Sequence, residues 1–285
     1  MPKKIFSVVI PAYNCVGFIT KTLDCLKNQT FRDFEAIIVD DGSGDGTYPV
    51  VSDYIASNPQ IEWKLFRQQN KGIAAARNKG VTEAKSPLIA FLDHDDIWYP
   101  EKLKNCHEVF KKYPEVDLVC HDELMRDTST VTTRHLSYGP YVTEMFRKLL
   151  FKGNCVSTSA AAVRRNVLLE AGLFREGQEF STVEDYDLWL RLAKKYKFFF
   201  LKEILGEYIV NDLNASLNSE KHYNNLITAL RSNFGGYAGK KFGDHCLINL
   251  RIARINCVLT RHFIKDANIK KALKYLSRAL LSLAP

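Results

Sequence analysis

The sequence predicts an α/β fold in which a mostly parallel sheet carries helices on its faces and a helical segment follows. Three observations lead there. Up to about residue 120, short apolar runs alternate with stretches of helical periodicity, the pattern of consecutive strand–helix units. One such run, residues 88–92, stops abruptly at Asp93-His94-Asp95-Asp96, where a strand leaving the sheet would place its carboxylates. Beyond Ser219 every stretch reads as helix.

Residues 6–10 (FSVVI) form the first predicted strand, ended by Pro11. Apolar residues at 18, 19, 23 and 26 predict a helix over 18–26. Residues 34–39 (FEAIIV) form the second strand and end in Asp40-Asp41-Gly42-Ser43. A helix over 48–55 tolerates Pro49 in its first turn. A strand over 61–66, an alanine-rich helix over 72–84 and the strand over 88–92 follow. A helix over 100–112, with Asp96 as a capping acid ahead of it, leads into a strand over 116–120. From about residue 122 the alternation weakens. Residues 126–140 are polar, rich in Thr and Ser, and read as a loop. Residues 156–163 and 198–201 read as strands of a second, mixed half, with a helix between them that starts near Glu184. The chain thus divides into 1–120, 121–219 and 220–285.

Hydrophobic residues make up 46% of the chain and charged residues 25%, an ordinary globular balance that excludes a disordered chain. The seven cysteines (15, 25, 106, 120, 155, 246, 257) are odd in number and contain no CxxC pair. That spacing argues against a disulfide framework and a zinc site, and for a reducing compartment. Cys15, Cys25, Cys106 and Cys120 read as small core hydrophobes. Met1-Pro2-Lys3-Lys4 precedes an apolar run too short for a signal peptide, and no segment approaches a membrane span, so a cytoplasmic location is expected. The net charge of +8 is unevenly placed. Residues 220–285 hold twelve Lys or Arg against three acids, whereas residues 1–219 hold 28 against 29.

The acids of Asp93, Asp95 and Asp96 repel one another unless a cation sits among them. A hard divalent cation, Mg²⁺ or Mn²⁺, is the natural counter-charge, and Mg²⁺ usually brings phosphate oxygens with it. Three loops end strands and so open on one rim of the sheet: Pro11-Ala12-Tyr13-Asn14, Asp40-Asp41-Gly42-Ser43 and Asp93-His94-Asp95-Asp96. The helix start at Asn70-Lys71-Gly72, with Arg77 further along, offers backbone N–H groups and cations that suit a diphosphate. Together these describe a nucleotide-diphosphate site. An EF-hand reading of the loop from Asp41 to Gly46 fails because its twelfth position is Ser52. Gly42, Gly44 and Gly46 have the wrong spacing for a dinucleotide fingerprint. His94, Trp98 and Trp189 read as packing or loop residues rather than substrate contacts.

The runs VVIPAYN, IIVDDGS, NKGIAAARNKG, IAFLDHDDIWYPEKL and EDYDLWLRL, in this order over residues 5–215, resemble the family 2 glycosyltransferases. The resemblance implies the GT-A fold, a Rossmann-like mixed sheet flanked by helices, here with a C-terminal helical extension. It implies an inverting, metal-dependent hexosyltransferase that takes a nucleotide-sugar donor, UDP by default, to a saccharide or lipid-linked saccharide acceptor in surface polysaccharide or glycoconjugate synthesis. Residues 1–120 become the nucleotide-sugar-binding half and 121–219 the acceptor-binding half. Asp41 matches the position that reads the nucleobase, and Pro11, Ala12 and Tyr13 line the same pocket. Asp93 and Asp95 match the DxD pair, Asp95 on the metal and Asp93 on the ribose or the metal through water. Asp185 matches the catalytic base.

A base at that position has its own logic. Inversion is a single displacement, so one carboxylate must take the acceptor hydroxyl's proton as attack occurs, while a metal stabilises the leaving diphosphate. Glu184 would tune Asp185 by like-charge proximity or point elsewhere. Without the other motifs, Glu184, Asp185 and Asp187 would read as first-turn acids favoured by the helix dipole. The chain departs from the family at Tyr208-Ile209-Val210-Asn211, where Arg and His are missing, so closure over the donor would fall to Asn211, Asp212 or Asn214. The rival readings are a sugar-nucleotide-binding subunit without turnover and a nucleotidyltransferase. The first is disfavoured by the intact Glu184-Asp185 pair, the second by the lack of a glycine- and basic-rich loop at 8–16. Nucleic-acid binding lacks interleaved aromatics.

In the tail, residues 269, 272, 273, 276, 280 and 283 put apolar side chains on one helix face, with Lys270, Lys271, Lys274 and Arg278 around it and Asp266 as N-cap. Such a helix either lies on an anionic membrane through residues 262–285 or packs on the catalytic body or on a second subunit.

Overall fold

The computed structural model describes residues 4–210 and 219–283. Four parallel strands make up its first half: β1 (Phe6–Ala12), β2 (Phe34–Asp40), β3 (Glu62–Arg67) and β4 (Leu88–Phe91). They are joined by α1 (Ile19–Lys27), α2 (Thr47–Ala56) and α3 (Ile73–Glu83). Every residue of β1, β2 and β4 is buried, which is why they read as largely apolar runs; the interior polar exceptions of β1 and β2, Ser7 and Glu35, hydrogen-bond to each other. β1 lies between β2 and β4, so the strand order reverses there and a crevice opens beyond the strands' C-terminal ends.

The second half continues the same sheet. β8 (Ala161–Arg164) pairs antiparallel with β4 and with β6 (Leu118–Asp127), and β6 runs parallel to β9 (Phe198–Val210). The two residues of β5 (Ile97–Trp98) close the far edge against β9. The sheet therefore mixes parallel and antiparallel pairs, and residue 120 falls inside β6. Alternation along the strands divides the core between two faces. Val9, Ile37, Val39, Ile89 and Phe91 face one side, and Val8, Ile10, Ala36, Ile38 and Ala90 the other. Helices α4 (Lys102–Lys112), α5 (Met145–Lys152), α6 (Arg165–Glu170) and α7 (Glu184–Leu192) complete the body.

Several expectations are corrected. Residues 126–140 are not a loop: β6 runs on to Asp127 and turns into β7 (Thr132–Leu136), its antiparallel partner. The Asp127 carboxylate accepts from the N–H groups of Ser129 and Thr130, an Asx-type turn. β-branched threonines suit a strand, and exposure of β7 at successive residues, on both faces, removes any apolar alternation. The strand expected over 156–163 is confined to β8, because Thr158 and Ser159 leave the ladder to serve the cleft described below. Helices α5 and α6 and strand β5 had no sequence-level expectation. Asn211, Asp212 and Asn214 lie outside the described residues.

The extension is helical throughout its described residues: α8 (Ser219–Gly235), α9 (Asp244–Lys265) and α10 (Ile269–Leu281). α10 is capped by Asn268, whose side chain accepts the Lys271 N–H, and not by Asp266. Its expected single apolar face is divided. Ala272, Tyr275 and Ala279 pack inward, with the Tyr275 ring stacked on Phe263 of α9, while Ile269, Leu273 and Leu280 remain about 60% exposed.

Gly80 of α3 explains how closely that helix lies on the sheet. A Cβ there would sit 2.4 Å from a buried methyl of Val9. Gly80→Ala is therefore expected to destabilise the fold by about 1–3 kcal/mol through overpacking, despite alanine's better helix propensity, as read from urea unfolding midpoints.

Candidate active site

A cleft of about 820 Å³ opens at the reversal of strand order. The predicted residues Pro11, Ala12, Tyr13, Asp41, Gly72, Arg77, Asp93, Asp95, Glu184 and Asp185 all line it. Lys71 does not; its side chain lines a shallow depression on the outside of α3, with Asn78 and Glu176.

The loops that follow β1 and β2 are tied together. Asn14, at a positive φ of 47°, donates its N–H to the Ser43 hydroxyl and accepts the Gly44 N–H through Oδ1. Asp41 is buried and accepts from Gln68 Nε2 and from the Lys71 and Gly72 N–H groups at 2.8–2.9 Å. These amides, expected to face a diphosphate, hold a carboxylate instead. Gly42 has a φ of +77°, and a Cβ there would lie 2.9 Å from the Asn70 nitrogen. The Asp-Gly pair thus lets the loop after β3 close onto β2.

Arg77 is 3% exposed and bridges the two halves. Its Nη2 donates to both oxygens of Asp93 at 2.7 and 2.9 Å, and its Nη1 donates to Glu184 Oε1 at 2.8 Å. The guanidinium is a clamp between the end of β4 and the start of α7. Glu184 is buried; loss of solvation, opposed by Arg77 and reinforced by the neighbouring Asp185, pushes its carboxyl up to about 7. Burial also raises Asp185, against Arg77 and the hydrogen bonds from the Tyr186 N–H and the Thr158 hydroxyl. A carboxyl moved toward neutrality is better matched to proton transfer than an ordinary aspartate.

Asp96 is not a helix cap. It is 2% exposed, accepting the Ser159 hydroxyl at 2.5 Å and the Ile209 N–H at 3.0 Å. Ser159 in turn accepts the Asp93 N–H, so one hydroxyl joins β8 to the Asp93–Asp96 turn. Behind it lie residues that sequence reasoning missed. Glu123 accepts the Tyr138 hydroxyl, and burial pushes its carboxyl up to about 7. Buried Lys102 sits 3.5 Å over the Trp98 ring and is brought down to about 8 by burial. No local signal marks them, since Lys102 stands between Glu101 and Leu103-Lys104 and Glu123 follows His121-Asp122. Trp98 and Trp189 are buried packing residues, and Cys15, Cys25, Cys106 and Cys120 are buried as expected. His94 lines the cleft, its Nδ1 3.2 Å from the Pro11 carbonyl oxygen.

α7 is itself fixed from the extension. Asp187, fully buried, accepts from Arg191, Arg175 and the side-chain amide of Asn233 on α8.

This fold is shared with solved structures. The chain matches Staphylococcus aureus TarS 1–349, crystallised with UDP-GlcNAc, with a TM-score of 0.72 at 17% identity over 98% of this chain and 82% of that one. It matches the mannosyltransferase PcManGT of Pyrobaculum calidifontis, in complex with GDP-Man and Mn²⁺, with a TM-score of 0.64 at 16% identity over 99% and 87%. The chain belongs to glycosyl transferase family 2, whose family model matches residues 7–172, more than half its length. Among curated relatives, the amylovoran biosynthesis glycosyltransferase AmsB of Erwinia amylovora is 30% identical over 71% of this chain and 69% of its own. Chondroitin synthase of Pasteurella multocida is 28% identical over 81% of this chain, which spans 22% of that protein's length.

The buried acids make stability depend on pH. Glu123 and Glu184, held near 7 when folded, bind protons more tightly than in the unfolded chain, so their contribution is full below about pH 4.5 and is lost as pH rises through about 7. The melting temperature is expected to be lower at pH 8 than at pH 5.5. Glu123→Gln, which keeps an acceptor for Tyr138, should flatten that slope in a calorimetric series.

Proposed function

We propose that this protein is an inverting glycosyltransferase that moves a sugar from a nucleotide diphosphate to a hydroxyl of a growing polysaccharide or glycoconjugate. The observation that carries this reading is the convergence of Asp93 and Asp95, at the end of β4, with half-buried Asp185 in one cleft, linked through Arg77 and Glu184. The nucleoside would lie along Pro11–Tyr13 and Asp41, whose Oδ2 accepts one N–H and keeps capacity for a base or ribose donor. UDP is the default base.

A divalent metal, Mn²⁺ or Mg²⁺, fits the donor set. Among the described residues no group of three metal-type side chains comes together. A hard cation that takes one or two carboxylates and completes its shell from phosphate and water matches that supply. Asp95 would hold it, with Asp93 direct or through water. When bound, the metal would stabilise the charge that develops on the leaving diphosphate. The protein's own part is positional and acid–base. Arg77 fixes Asp93, Thr158 orients Asp185, and Asp185 takes the proton of the attacking hydroxyl. A sugar-nucleotide-binding subunit without turnover would have no use for an Asp185 oriented in the cleft by Thr158.

Asp95→Ala is expected to abolish metal-dependent donor binding without unfolding the protein. Calorimetry of UDP-sugar binding with and without Mn²⁺ tests this, and an unchanged metal-dependent affinity would remove Asp95 from the metal site. Asp185→Asn should keep donor affinity and lose turnover by ~10²–10⁴. Transfer at a near wild-type rate would move the base elsewhere, with Glu184 next in line. The anomeric configuration of the product, read by NMR, should be opposite to that of the donor.

No helix among the described residues is long and apolar enough to cross a membrane. The exposed stripe of Ile269, Leu273, Leu276 and Leu280, beside Lys270, Lys274 and Arg278, supports a cytoplasmic enzyme held peripherally on an anionic membrane. Exchanging Leu273, Leu276 and Leu280 for serine should abolish co-sedimentation with phosphatidylglycerol vesicles at low salt while sparing donor hydrolysis. Failure of the wild-type protein to co-sediment would sink the idea.

A further inference from the structure

A second cavity, about 740 Å³, lies between α5 and the first half of α9. Its walls are apolar, from Val142, Phe151, Leu247 and Leu250, and its rim is basic. Three of the rim cations are already committed. Arg147 pairs with buried Asp244, Lys148 donates to the Pro140 carbonyl, and Arg251 donates to the carbonyls of Leu149 and Leu150 that end α5. Lys152 and Arg254 are exposed and have no acidic partner among the described residues. Glu144, the acid beside the cavity, is shared by Arg147 and Lys241. An apolar hollow with uncompensated positive charge at its mouth suits an anion that carries an apolar chain, since neither a neutral sugar nor a simple anion would use both properties.

The hollow neighbours the cleft along the chain. Tyr138 and Asn154 line the cleft, whereas Pro140 and Lys152 line the hollow. Each pair is two residues apart, a step of at most roughly 7 Å along the chain. A ligand held in the hollow would thus lie next to stretches of chain that also line the cleft.

We infer that the hollow holds the lipid phosphate or diphosphate of a lipid-linked acceptor, with Lys152 and Arg254 on the phosphate, the apolar walls on the start of the lipid, and the acceptor sugar at Asp185. This rests on the reading of the cleft as a glycosyltransferase site.

Farnesyl diphosphate is a usable probe, titrated into the full chain by calorimetry with the donor cleft blocked by saturating UDP and Mn²⁺. Saturable binding, one per chain, is expected. Inorganic diphosphate and farnesol should each bind at least about tenfold more weakly, because each keeps half of the contacts. Lys152→Glu/Arg254→Glu and, separately, Leu250→Asp should also weaken the probe by about tenfold or more. The milder Lys152→Gln/Arg254→Gln pair gives the same reading should the charge-reversed protein misfold. No binding with the cleft blocked, equal affinity for inorganic diphosphate, or unchanged affinity in the double variants would overturn the assignment. Displacement of the probe by phosphatidylglycerol vesicles would show a site for bulk lipid and overturn the acceptor assignment as well. Donor hydrolysis should proceed at the wild-type rate in the Lys152/Arg254 variants. Absence of hydrolysis in the wild-type protein would strike the glycosyltransferase reading and leave the binding result standing.

Discussion

The buried guanidinium of Arg77 is the constraint on which the candidate active site depends. It reaches from α3 to Asp93 on one side and Glu184 on the other, joining the strand that delivers the acidic turn to the helix that delivers Asp185. Asp93, Glu184 and Asp185 would otherwise repel one another in a poorly solvated space. A planar fork can hold one carboxylate through both oxygens and still donate to a second, which a single ammonium does less well. Arg77 also lies 5.4 Å from the Phe174 ring, which shields the clamp on its apolar side. The residue that its place after a helix start would assign to a phosphate is thus part of the framework that sets the spacing between the acidic turn after β4 and the start of α7.

That framework is costly to build. Asp96, Glu123, Glu184 and Asp185 are all held above the ordinary carboxylate range, burial being the largest cause for each. Few cations offset them, and Lys102 is itself driven toward neutrality by burial. The structure relies instead on hydroxyls: Ser159 on Asp96, Thr158 on Asp185 and Tyr138 on Glu123. Each supplies a directed hydrogen bond without adding charge, so orientation is secured while basicity is retained.

The helical extension is tied into this arrangement. Asn233 of α8 donates to Asp187, two residues after Asp185, and Arg251 of α9 closes the end of α5. The basic, partly apolar surface of residues 220–283 is therefore attached to the helix that carries Asp185.

The strands β1, β2 and β4, the helices between them and the acidic turn were legible in the sequence, because fully buried parallel strands are predominantly apolar and their ends turn polar where the chain leaves the core. The hairpin of β6 and β7 was not, since its exposed threonines leave no periodicity to detect. Nor were the roles of Asp96, Glu123 and Ser159, whose partners lie from 15 to 113 residues away. The sequence by itself determined which carboxylates sit at strand ends and that Asp185 opens a helix, because local hydrophobic pattern dictates where a chain leaves the core. Only the tertiary structure decided that Arg77 and the amides of Lys71 and Gly72 bind protein carboxylates rather than stand open to a ligand. Partner choice among charged groups is a matter of through-space distance and burial, and no local pattern encodes either.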